Sequence, residues 1–267
     1  MIAITDQEFT RFQRFIYDTA GISLSPAKKA LVSGRLSKRV QHFQLGSYGE
    51  YFRLLESGKS AAEVQMAIDL LTTNETYFFR EPKHFEFLRN QAIAHVPRHH
   101  AFRVWSAACS TGEEAYTMAM VLADCLGDAP WEITGSDIST RVLQRARAAH
   151  YSLERTKYIP RAYLERYCLK GIGEQEGTLL VCRPLRQHVQ FMQVNLNMKL
   201  PQIGSFDAIF LRNVMIYFNA DTKRKVVAQV VSQLKPGGYF YIGHSESLND
   251  ITDALRPVAP SIYQKPS

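Results

Sequence analysis

Two adjacent glutamates, Glu113 and Glu114, follow Gly112 in the stretch WSAACSTGEEAY, where an apolar run passes through a tight turn into a helical pattern. Turns of that layout commonly hold a nucleotide, with glycines letting the backbone approach a pyrophosphate. Here Ala108 and Ser110 stand in the glycine places. Two carboxylates would also repel phosphate. At ~4 Å and an effective dielectric of ~20, each like-charge pair costs about 4 kcal/mol, against the ~1 kcal/mol that a helix N-terminus offers an anion. A nucleoside with a cationic or zwitterionic tail fits better, and S-adenosylmethionine, which carries a sulfonium and an amino group but no phosphate, is of that kind. Thr111 and Glu114 could instead form a capping box that needs no ligand. The next apolar run, WEITGSD, ends in Asp137, where an acid that accepts ribose hydroxyls would sit. Capping a helix that begins near Ser139 is the other use for it. Turn and acid together favour an adenosine ligand.

Such a site needs a parallel sheet to carry it. From about residue 100 strands and helices alternate: FRVWSAA, a helix from Glu113 to Leu126, WEITGSD, a helix from Thr140 to His150, VQFMQVNL, FDAIFLRN, a helix from Asp221 to Leu234, then YFYIGHS. That rhythm predicts an α/β fold with a mostly parallel, doubly wound sheet. Residues 1–75 show helical spacing throughout, as in Phe9, Phe12, Phe15 and Ile16, then Val32, Leu36, Val40 and Phe43, and predict a small all-helical domain before a second domain at 76–267. Ser25-Pro26 reads as the cap and first turn of its second helix. Between Tyr151 and Val189 the rhythm breaks. KGIGEQEG lies between the short strand-like runs YCL and TLLVC, which predicts an antiparallel β insert at about 160–190.

The 267 residues carry a net charge of +7. No Asp or Glu occurs from Gly21 to Gly49, where Lys28, Lys29, Arg35, Lys38 and Arg39 gather, so an acidic partner is expected. Nucleic acid is one candidate, but no aromatic stacking platform or nucleic-acid motif accompanies the charge. No apolar run approaches the ~18 residues of a membrane span, and MIAITDQEFTRF lacks the basic start and apolar core of a signal peptide. Cys109, Cys125, Cys168 and Cys182 form no CxxC pair. Reduced thiols, a cytoplasmic location and no bound metal are expected. His84, His150 and His244 are read as structural.

SAACSTGEEAY, SDIS, TTNETYFFR, FDAIFLRNVMIYF and LKPGGYFYIGHSES together resemble the chemotaxis receptor glutamate methyltransferases, the CheR family, over nearly the whole chain. The resemblance implies a class I S-adenosylmethionine-dependent methyltransferase fold. It also implies methylation of glutamates on the cytoplasmic domains of methyl-accepting chemoreceptors, with S-adenosylhomocysteine as product. Carried over by motif, Asn74, Thr76 and Arg80 reach the cofactor, Arg80 pairing with its carboxylate. Glu113 or Glu114 holds the amino end, Glu113 being favoured. Asp137 takes the ribose, Asn195 and Leu196 read the adenine edge, and Asn213 and Val214 line the wall beside the sulfonium. Tyr217 stands by the reacting methyl as the catalytic residue. Lys28, Arg35, Lys38 and Arg39 form the receptor-docking helix, with Lys28, Arg35 and Arg39 on one stripe. Some members capture a receptor's C-terminal tail peptide on the β insert. Members that do so carry a glycine-bounded loop that Lys170 to Gly177 matches in length, with Lys170 in place of the leading Arg. Two alternatives stand beside this reading: a class I methyltransferase acting on RNA or a small molecule, and a cofactor-binding regulator without turnover.

Overall fold

The computed structural model describes residues 2–94 and 100–267. Four helices come first: α1 (Asp6–Ala20), α2 (Lys29–His42), α3 (Tyr48–Glu56) and α4 (Ala61–Leu71). Thr5 and Glu8 close a capping box at the start of α1, and Gly21 ends it at φ 73°, in the left-handed region. Ser47 and Ser60 cap α3 and α4 by accepting from Glu50 N and Glu63 N. Phe9, Phe12 and Ile16 of α1 pack with Val32, Leu36 and Val40 of α2 and with Tyr48, Tyr51 and Leu55 of α3 in one core, as the 3.6-residue spacing demands. The second helix starts later than expected. Pro26–Lys28 form a 3₁₀ turn, so Lys28 precedes α2 instead of sharing its face with Arg35 and Arg39.

The short helix α5 (Lys83–Phe87) leads into β1 (Phe102–Ser106), α6 (Glu113–Leu126), β2 (Trp131–Asp137) and α7 (Thr140–Ala148). Next come β3 (His150–Ser152), α8 (Arg161–Tyr167), β4 (Cys168–Lys170), β5 (Thr178–Val181), α9 (Arg183–Arg186) and β6 (Val189–Gln193). The chain closes with β7 (Phe206–Leu211), α10 (Ala220–Ser232), β8 (Leu234–Ile242), β9 (Arg256–Ala259) and β10 (Ile262–Gln264). The main sheet runs β6-β2-β1-β7-β8-β10-β9. Strands β6, β2, β1, β7 and β8 are parallel neighbours, while β10 and β9 are antiparallel additions. The chain winds outward from β1 to β6, then returns to place β7 on the other side of β1. That reversal opens a crevice at the carboxyl ends of these strands.

The insert is larger than the sequence suggested. It is a three-stranded antiparallel sheet, β3-β5-β4, and it begins at residue 150. β3 has three residues, too few for alternation to register. No described helix is long and apolar enough to cross a membrane.

Candidate functional site

A cavity of ≈ 930 Å³, counted to its open mouth, occupies the crevice. Its wall draws on the segment from Thr72 to Arg80, the β1–α6 turn, the ends of β2, β6 and β7, and Ala20 and Ile22 of the helical domain. Asn74, Thr76, Arg80, Asp137, Asn195, Leu196, Asn213, Val214 and Tyr217 all line it. Nine positions spread over more than 140 residues of sequence thus meet at one surface.

The turn is held from several sides. Gly112 sits at φ 93°, and a Cβ there would lie 2.9 Å from Ala146 Cβ. Only glycine fits. Ser110 donates its N–H to Asp137 Oδ2 at 2.9 Å and its hydroxyl to Asn74 O at 3.0 Å, tying turn, strand end and interdomain segment together. Asp137 also accepts from Ser139 N at 2.9 Å. The cap of α7 is Ser139, which accepts from Val142 N. Burial pushes the Asp137 carboxyl up to about 6, against the pull of the Ser139 and Ser110 N–H groups.

The two glutamates part company. Glu113, favoured from the sequence, is fully buried and does not line the cavity. Its carboxylate accepts from Arg155 Nε at 2.8 Å and from the Thr111 hydroxyl at 2.6 Å. Helical phase separates the two, since successive residues point about 100° apart. Glu114 therefore faces the cavity. It accepts from the Ser106 hydroxyl at 2.6 Å and from Arg212 Nη1 at 2.9 Å. Burial raises the Glu114 pKa, and the adjacent Arg212 opposes the rise.

Arg212 is the residue that sequence reasoning passed over, although it opens the RNVMIYF motif. It is 5% exposed and bridges Glu114 and Glu81, donating Nη2 to Glu81 Oε2 at 3.0 Å and to Arg80 O. Burial raises the Glu81 carboxyl, but Arg212, the His244 N–H and Asn213 outweigh it and leave the pKa lowered. Asn213 adopts φ 57°, and its N–H donates to Glu246 Oε2 at 2.8 Å. Glu246 also accepts from Gly243 N at 2.7 Å and Ile216 N at 3.3 Å, so one carboxylate shapes the loop that presents Val214 and Tyr217.

Asn195 has a structural duty besides its place in the wall. Its Nδ2 donates to Thr19 O at 2.7 Å and its Oδ1 accepts from Asn197 N at 3.0 Å, which leaves its amide edge partly committed. Arg80 donates Nη1 to Glu75 O at 3.0 Å, and Thr76 O accepts from Arg155 Nη2 at 3.2 Å.

Two residues of the basic stripe have partners within the helical domain. Arg35 donates Nη1 to Leu71 O and Thr72 O, both at 3.0 Å, and Nη2 to Thr73 Oγ1 at 3.1 Å. Arg39 pairs with Glu63, Nε to Oε1 at 2.8 Å, and Tyr51 donates to the same oxygen at 2.7 Å. Both guanidiniums find these partners because α4 packs along α2, its first turn bringing Glu63 to Arg39 and its end bringing Leu71 O and Thr72 O to Arg35. Lys28 and Lys38 remain exposed.

Residues 7–72 match the CheR methyltransferase all-alpha domain and residues 74–263 the CheR methyltransferase SAM-binding domain. The chain belongs to the CheR methyltransferase family. A chemotaxis protein methyltransferase of Salmonella typhimurium is 43% identical over 98% of this chain and 91% of its own length. Chemotaxis protein methyltransferase 2 of Pseudomonas aeruginosa is 41% identical over 97% of this chain and 93% of its own. A CheR protein of this length therefore pairs the helical domain with a class I fold that binds S-adenosylmethionine.

Proposed function

We propose that this CheR protein transfers the methyl group of S-adenosylmethionine to glutamate side chains of chemoreceptor cytoplasmic domains, forming methyl esters. The meeting of Glu114 on the β1–α6 turn with Asp137 and Tyr217 on one wall carries the reading. The cofactor supplies an electrophilic methyl on a sulfonium. Asp137 accepts from the ribose hydroxyls with the lone pairs that Ser110 and Ser139 leave free. Glu114, held by Arg212, faces the amino end, and Arg80 reaches the carboxylate. Asn195 and Leu196 edge the adenine, while Asn74 and Thr76 close the cavity from the interdomain segment. Asn213 and Val214 flank the sulfonium, and Tyr217 orients the incoming carboxylate. A glutamate with pKa ~4.3 is already ionised at neutral pH, so no general base is required. Alignment of carboxylate, methyl and sulfur is the main demand, which suits a wall held rigid by Glu246 and Arg212.

The experiment is to incubate the protein with methyl-labelled S-adenosylmethionine and receptor-bearing membranes. Base-labile label released as methanol is expected. Label in RNA or small molecules alone would replace this reading with another class I reaction.

The insert's edge supports a tethering role. β4 is an edge strand, and Leu169 within it and Ile172 just after it are 57% and 82% exposed. Its loop is compact by necessity, since a Cβ on Gly171 would meet Gln175 O at 1.9 Å. An extended receptor tail peptide could add to β4 as a further strand. Calorimetric titration with C-terminal peptides of the host's receptors should give dissociation constants below about 100 µM, a range in which a tether raises local concentration usefully. Binding to none of them would remove the tether.

A further inference from the structure

Next to Arg212, among residues that do not line the cavity, stands a group of side chains that methyl transfer does not use. Glu81, His84 and His244 present one donor atom each within 4.8 Å of one another. His84 is completely buried, and neither of its ring nitrogens has a hydrogen-bond partner. A buried imidazole with two idle nitrogens is uncommon, because leaving such groups unpaired costs stability. His84 Nδ1 lies 3.4 Å from Glu81 Oε2 without forming a hydrogen bond. In a tetrahedral site with bonds of about 2.0–2.1 Å, neighbouring donors stand about 3.4 Å apart, so this pair already has the spacing of two ligands on one ion.

We infer that Glu81, His84 and His244 form a binding site for a divalent transition metal of the zinc, cobalt or copper type, completed by water. Two imidazoles and one carboxylate are the donors such ions prefer over magnesium or calcium. His84 comes from α5 and His244 from the turn after β8, their rings 5.0 Å apart at 78°. His244 is exposed and opens on a surface groove shared with Lys83, Glu86 and Ser261, which gives the ion an entry path. The sequence spoke against metal because its cysteines are badly spaced. This cluster contains none of them.

Occupancy would be felt in the cavity. The Glu81 carboxylate accepts from Arg212 and from Asn213 Nδ2 at 3.3 Å, and both residues line the cavity. An ion that draws on Glu81 competes with Arg212 for the same oxygens and leaves Glu114 as that guanidinium's only carboxylate. This second step rests on the cofactor reading above; metal binding itself does not.

Chelator-treated protein is titrated with Co(II) and followed by visible absorption, with Zn(II) as competitor. One equivalent should bind, with tetrahedral nitrogen–oxygen bands and no thiolate charge transfer. His244→Ala, at an exposed position, should weaken binding about tenfold or more while the thermal transition persists. Equal binding by His244→Ala, a thiolate spectrum or no saturable binding overturns the site. With Zn(II) bound, affinity for S-adenosylhomocysteine should change about fivefold or more in wild type and not in His244→Ala. An unchanged affinity overturns the coupling to Arg212.

Discussion

Asp137 carries two roles whose pH dependences oppose each other. Its carboxyl, raised by burial from the model-compound 3.8 to about 6, binds a proton in the free folded protein at pH values where the unfolded chain has lost it. The unliganded fold therefore loses stability as pH rises from near 4 through 6. Ribose hydroxyls donate to the ionised form, so cofactor binding should pull the pKa back down and release a proton near pH 6. S-adenosylhomocysteine affinity should then fall by up to about tenfold per pH unit below 6. Calorimetry in buffers of different ionisation heat checks the release, and Asp137→Asn should lower it. Asp137→Ala removes a charged acceptor worth roughly 1.5–3 kcal/mol, so affinity should drop about tenfold or more. Unchanged affinity would leave Asp137 a purely structural acid. The neighbouring glutamates should separate cleanly. Glu114→Gln is expected to weaken cofactor binding with a modest change in melting temperature. Glu113→Gln should lower the melting temperature first, since it unpairs Arg155 from a fully buried group. The reverse ordering, read by calorimetry and thermal unfolding on the same samples, would restore Glu113 to the site.

At the scale of elements, what was legible in the sequence was local. The β1–α6 turn, the acid at the end of β2 and the loop after β7 each announce themselves within a dozen residues, because strand periodicity and a single forced glycine suffice. The orientation of Glu113 against Glu114 was not legible. It depends on Arg155, 42 residues away, and Arg212, 98 residues away. β3 escaped because three residues cannot show a period. The partners of the charge stripe were hidden for a related reason: composition locates cations but not the carbonyls and carboxylates that fold onto them. Docking through the helical domain is thus expected to use Lys28 and Lys38. Reversing both to Glu should slow receptor methylation, make the remaining activity less salt-sensitive and leave cofactor affinity unchanged. Arg39→Ala should instead destabilise the helical domain, by about 2–3 kcal/mol in chemical denaturation, because Glu63 is left 5% exposed with Tyr51 as its remaining partner. A stable Arg39→Ala protein with impaired receptor methylation would return Arg39 to the docking face.

Over the whole molecule, the family's two domains meet around the cavity. Ala20 and Ile22 of one domain share its wall with Asp137 and Asn213 of the other. Arg35 fixes the carbonyls of Leu71 and Thr72 where the chain leaves α4. Asn195 reaches back to Thr19 O, and Thr140 N and the Thr140 hydroxyl donate to Asp69 at 3.0 and 2.9 Å. The insert is joined to the same neighbourhood, since Arg155 contacts both Glu113 and Thr76 O.

The contact between Asn195 and Thr19 has a thermodynamic corollary. A ligand seated between two bodies binds only when both are folded and docked, so its binding free energy is shared between them as cooperativity. Without ligand, scanning calorimetry should resolve the helical domain melting ahead of the larger one. Saturating S-adenosylhomocysteine should merge the two into a single sharper transition whose calorimetric and van't Hoff enthalpies agree. Asn195→Ala should restore the separation at the same ligand saturation. Two peaks that persist with ligand, each shifted independently, would mean that the cavity belongs to the larger domain alone. A merged transition would make the cofactor the agent that turns two folding units into one.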